Sequence, residues 1–136
     1  MAKYNHIDHA LHNEKVCNFI SKKEDYGDWI ITTAFYSAIH YVRYLMLPVN
    51  LKNGTEINCF EALFNIQRGS VEGRHGFQNR YVTNKITEIA IEYKQLHDWC
   101  NQARYFEYNQ PRVLSKQAKE NLLTIKKHIV SVKPIV

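Results

Sequence analysis

The sequence lacks the short motifs by which most catalytic chemistry is recognised. It holds no glycine-rich phosphate loop, no nucleophile elbow, no Walker motif and no helical His-Glu-x-x-His. Cysteine is sparse. Cys17, Cys59 and Cys100 are odd in number and far apart, and no pairing motif or zinc spacing joins them. A reducing cytoplasm is the expected setting. The first ten residues contain no apolar run, so no secretory signal is expected. No segment alternates at period two for long enough to build a sheet, and there is neither an internal repeat nor a low-complexity stretch.

What is present fits one folded domain over residues 1–136. The chain is 45% hydrophobic and 23% charged, which excludes wholesale disorder. The longest patterned stretch is residues 28–47, DWIITTAFYSAIHYVRYLML. Ile31, Phe35, Ile39, Val42 and Met46 recur at three- or four-residue spacing, and Trp29, Thr33, Tyr36, His40 and Leu47 form a neighbouring stripe. Ala34 and Ala38 leave room for a close helix neighbour. Apolar residues nearly all round place a helix inside a bundle. About 20 apolar residues also suffice to cross a bilayer. Arg43, His40, three tyrosines, two threonines and a serine argue against that, so no membrane is expected.

Helical periodicity predicts four long helices near residues 5–23, 26–47, 82–105 and 113–132, with a short one near 59–66. Lys22, Lys23, Glu24 and Asp25 mark the first exit, and Asp25 or Asp28 is the expected cap of the second helix. Pro48 ends that helix. Residues 67–76 hold three glycines and read as a loop. The fold class is therefore all-α, an up-and-down helical bundle. Trp29, Phe35, Ala38 and Ile39 are expected to be buried. His6, His9 and His12 recur at every third residue, a spacing that drifts around a helix. They read as a solvent-facing edge, and no metal is expected.

The charge is uneven. The net charge is +5, and residues 112–136 alone carry six basic groups against one acid. Such a segment attracts phosphate or an acidic partner. Polar groups with chemical potential gather at 74–80, RHGFQNR, and 103–108, ARYFEY. Arg74, His75, Arg80 and Arg104 are candidate phosphate ligands, because guanidinium forks hold phosphate bidentately. Tyr105 and Tyr108 would line the same ligand, and Lys126 and Lys127 would add charge.

The order of these signals resembles the HEPN family, the helical domains named for higher eukaryotes and prokaryotes nucleotide binding. The resemblance lies in the aromatic-rich central helix at 28–47, then His75 before a long helix, then Arg104 to Tyr108 at that helix's end. It covers roughly residues 5–130. It implies a helical bundle, often a symmetric homodimer, that binds RNA or nucleotide or pairs with a nucleotidyltransferase partner, without a cofactor. Catalytic members of the family are metal-independent ribonucleases of toxin or defence systems, with an Arg and a following His separated by four to six residues. Here the expected positions after Arg104 are Asn109, Gln110 and Pro111. Arg68 and His75 have six residues between them, but in a glycine-rich loop. The resemblance therefore implies a non-catalytic module. The alternative is a ribonuclease using His75 with Arg104 or Arg68.

Overall fold

A computed structural model describes residues 5–23 and 25–136; Glu24, read above as part of the first helix's exit, lies outside them. The fold is an all-α bundle, as the periodicity predicts. Its helices are α1 (His6–Ile20), α2 (Gly27–Met46), α3 (Phe60–Gln67), α4 (Arg74–Lys85), α5 (Ala90–Tyr105) and α6 (Arg112–Val132). A two-residue hairpin, β1 (Val49–Asn50) with β2 (Glu56–Ile57), fills the connection after α2, with Val49 opposite Ile57. Gly54 turns it at φ 87°, a conformation that a side chain would strain.

Cross-helix contacts fix the directions. Ser37 donates to the Ala10 carbonyl and Cys17 lies against the Ile30 carbonyl, so α1 and α2 are antiparallel. Phe35 meets His97 while Thr32 meets Cys100, so α2 and α5 are antiparallel too. Asn121 bonds Gln95 while His128 pairs with Glu88, which reverses α6 against α5. The chain thus runs up, down, up and down through α1, α2, α5 and α6.

Helix α2 is the centre, packed on α1, α5 and α6. Ile31, Ala34, Phe35, Ala38, Ile39 and Val42 are buried, as the doubled apolar stripe requires. Trp29 departs from expectation. It is 53% exposed. It belongs to the Trp29–Thr33–Tyr36 stripe, which only half enters the core, and it sits in the first turn, where few neighbours reach. Neither Asp25 nor Asp28 caps α2: the N-cap is Tyr26, without a side-chain bond, and Asp28 stands in the first turn. There its charge still favours the positive end of the helix.

The expected helix over 82–105 is two helices. Ile86 and Ile89 both turn inward at a kinked junction, with a 3-10 turn at Thr87–Ile89, and α4 extends back to Arg74. The loop is accordingly shorter than expected. His75 lies in the first turn of α4 rather than in a loop.

The histidines of α1 are not a solvent-facing edge either. His9 stacks on His40 at 4.0 Å, and His6 Nδ1 lies 3.1 Å from His40 Nδ1. Among the three only His12 is exposed. Burial, helped by His9, Arg43 and His6, pushes the His40 pKa down to about 3. Burial, Arg43 and His9 take His6 to about 4.

Two outcomes follow for stability. Phe35→Ala should cost about 3–5 kcal/mol in urea unfolding, while Trp29→Ala should cost under about 1 kcal/mol. For His40 and His6 the folded pKa lies below the unfolded value of about 6.5, so the unfolded chain binds more protons between the two. Their contribution is full above about pH 6.5 and is lost as pH falls toward 4 and then 3. Urea midpoints at pH 7 and pH 5 should therefore differ less for His40→Asn than for the native chain. An equal difference would exclude this histidine as a source of acid sensitivity.

Candidate functional site

Phe35 carries the core into the candidate site. Its ring packs on Tyr93 inside the bundle and on His97 and His75 at the surface, at centroid distances of 5.7, 5.1 and 5.7 Å. The two imidazoles lie 5.4 Å apart. His75 is brought there by the start of α4, which Glu72 holds. The Glu72 carboxylate accepts from the Gly69 amide and pairs with Arg80, two turns into the helix, and Arg80 in turn depresses the Glu72 pKa. His97 comes from the middle of α5.

The two histidines differ in their bonding. The Asn79 amide lies 2.8 Å from His97 Nδ1 and the Asn101 amide 3.4 Å from His97 Nε2, so both ring nitrogens are engaged. His75 is exposed and makes no hydrogen bond among the described residues. Burial lowers both pKa values. The charges of His97, Arg43 and Arg104 add to the effect on His75. Both rings thus favour the neutral form more than a free imidazole does. Among the described residues no arginine hydrogen-bonds His75.

Arg104 closes the site from the end of α5. One guanidinium N–H donates to the Tyr36 hydroxyl at 2.6 Å, and the group lies over the rings of Tyr36 and Tyr105 at 5.8 and 5.6 Å. Its other N–H donors have no acceptor among the described residues. A guanidinium has five such donors, so most of the fork is available to a ligand.

Around this cation the surface is aromatic. Tyr105, Phe106 and Tyr108 are 69%, 78% and 76% exposed. Trp29 and Tyr36, seven residues apart on α2, share one face. Gln110 sits so close to Gly27 that a Cβ there would come 3.2 Å from its carbonyl oxygen. That contact holds the 106–111 loop against the first turn of α2.

Most of the remaining expected ligands are engaged elsewhere. Arg74 forms a two-bond ion pair with Glu61, and Arg80 is taken by Glu72 and the Gln67 carbonyl. Arg68 lies over Phe64. Lys126 is paired with Glu14, whose carboxylate also accepts from Tyr41. Lys127 is exposed one residue further along α6. Arg74 and Arg80 flank His75 in the sequence, but the acids Glu61 and Glu72, close by, capture both of them. His97 was missed. Its spacing gives it away: His97, Asn101 and Arg104 stand at i, i+4 and i+7, one face of α5.

Among the described residues, no group of three or more His, Cys, Asp or Glu is arranged to hold a metal. No helix is long and apolar enough to cross a membrane. No family model, curated protein or solved structure matches the chain.

Proton titration tests this geometry. Both imidazoles should titrate below about 6.5 by NMR. His97→Gln should raise the His75 midpoint, because it removes the neighbouring charge that opposes protonation. A His75 midpoint that stays put would mean that the rings do not sense each other.

Proposed function

We propose that the chain is a non-catalytic, HEPN-like module that binds single-stranded RNA or a nucleotide at the Arg104 face. The observation that supports this most is the open guanidinium fork of Arg104, set among exposed aromatic rings. Phosphate asks for such a fork. Bases stack on such rings, at about 1–3 kcal/mol each and with little regard to sequence. His75 and His97, whose burial disfavours the charged form, supply hydrogen-bonding and stacking surface. The likeness to HEPN domains rests on residues 28–47, His75 and Arg104 to Tyr108.

A second reading is a protein interface, either a homodimer or a docking face for a nucleotidyltransferase partner. The exposed apolar residues Phe106 and Val113, on either side of Pro111, favour it.

Fluorescence anisotropy with a labelled single-stranded RNA separates these readings. Binding should weaken by more than about tenfold between 50 and 200 mM salt. Arg104→Ala should weaken it by about 1–3 kcal/mol, a larger effect than Lys127→Gln, which removes only a distant charge. Cleavage should be undetectable without metal. Products ending in a 2′,3′-cyclic phosphate that vanish in His75→Ala would replace this reading by the ribonuclease one. Absence of RNA binding, with a dimer in light scattering that Phe106→Ser dissolves, would establish the protein interface instead.

A further inference from the structure

Helix α1 is held differently from the other long helices. Among the described residues it packs extensively on α2 alone. Its buried residues are Ile7, Ala10 and Cys17, two of them small. Its links to α6 are polar: Lys126 pairs with Glu14, and Lys119 donates to the Ser21 hydroxyl. By contrast α2, α5 and α6 pack on one another and bury Phe35, Tyr93, Leu96, Leu122, Ile125 and Ile129. The bundle therefore keeps a core of its own without α1, whereas α1 has a small apolar grip on the rest.

Three imidazoles occupy one end of the α1–α2 contact. His40 of α2 is buried, and His9 stacks on it at 4.0 Å. His6 stacks at 5.3 Å, with its Nδ1 atom 3.1 Å from that of His40. The cations around them are Arg43 of α2, whose charge acts on both His6 and His40, and Lys133 of α6. Arg43 and Lys133 line a cavity with His6, and Lys133 donates to the Tyr44 and Leu47 carbonyls. His12, further along α1, is exposed. The acids lie elsewhere or are engaged. Asp8 is exposed, Glu14 is held by Lys126 and Tyr41, and Glu61 of α3, which senses Arg43, is paired with Arg74. Outside the described residues, positions 1–4 are Met, Ala, Lys and Tyr and bring no side-chain carboxylate, and Glu24 follows the other end of α1 in the sequence. Among the described residues no carboxylate pairs with any of the three rings. Protonating one of them adds a positive charge beside Arg43.

We propose that α1 is an acid-released helix: charging the His6–His9–His40 cluster detaches it from α2 while α2, α5 and α6 stay packed. Release returns each ring to water, where an imidazolium is well solvated, and takes it away from Arg43. Burial first, then the neighbouring positive groups, holds His40 at about 3 and His6 at about 4 in the docked helix. A released ring returns to about 6.5. Docking is therefore complete above about pH 6.5, and below it each of these two rings lowers the docking equilibrium by up to about tenfold per pH unit. The event is local because all three rings belong to α1 and α2. It frees Ser37 and Tyr41 of α2 from the Ala10 carbonyl and Glu14. The device is independent of the Arg104 face.

Cysteine accessibility in the full chain tests it. Cys17 is buried on α1, Cys100 is buried on α5 and Cys59 is exposed. Brief treatment with a dipyridyl disulfide, which reacts with thiols at acid pH, followed by peptide mass spectrometry reads each of them. From pH 7 to pH 5 the labelling of Cys17 relative to Cys59 should rise by at least about tenfold, while that of Cys100 should change by less than about twofold. His40→Asn and, separately, His6→Asn should each reduce the Cys17 rise by at least about threefold. His12→Asn, at an exposed position outside the cluster, should leave the rise within about twofold of the native one. Cys17 labelling that does not move with pH in the native chain would overturn the proposal. So would Cys17 and Cys100 rising together, which is unfolding of the whole bundle, or a native-sized rise in both cluster variants.

Discussion

The packing of Phe35 is the contact on which both the bundle and its candidate site depend. One ring is fully inside the core against Tyr93 and also backs two surface imidazoles. The buried edge fixes how α5 lies on α2. The outer edge fixes where His75 and His97 stand. Hydrophobic burial therefore orders polar groups that would otherwise each require their own restraint. Tyr36, the next residue along α2, adds the hydroxyl that aims Arg104.

Charge is divided between two regions by pairing. Around α3 and α4 the arginines find glutamates and become structural, as Arg74 with Glu61 and Arg80 with Glu72 show. These pairs are exposed, so they orient side chains more than they stabilise the fold. Where α1 ends and α6 begins, Lys22, Lys23, Lys116 and Lys119 have no ion pair among the described residues, whereas Lys126 and Glu14, further along the same two helices, are paired. Arg104 is intermediate, bonded to a neutral hydroxyl that leaves its charge intact. Availability of a cation, rather than its presence, separates the candidate binding groups from the rest.

The bundle was legible in the sequence because burial of a helix leaves a period, and residues 28–47 carry two such stripes. Three features were not legible. The break at Ile86 preserves the apolar spacing on both sides, so periodicity runs straight through it. Trp29 looks like core by composition, but its depth depends on what lies opposite the first turn. The burial of His6 and His9 depends on a ring, His40, that is 34 and 31 residues away in the chain. The site was half legible. His75 and Arg104 stood out as candidates in the sequence, while His97 and the Tyr36 hydroxyl joined them only once α2, α4 and α5 were brought together.

The central claim is that the α2–α4–α5 face, built on Phe35 and open at Arg104, is where a nucleic acid or nucleotide docks. Amide and side-chain NMR shifts during titration with a short single-stranded RNA test it most directly. The account predicts the largest changes at the Trp29 indole, the His75 and His97 rings, the Arg104 guanidinium and residues 105–108. Changes confined to other surfaces, with the Trp29 and Arg104 signals unmoved at saturation, would contradict it.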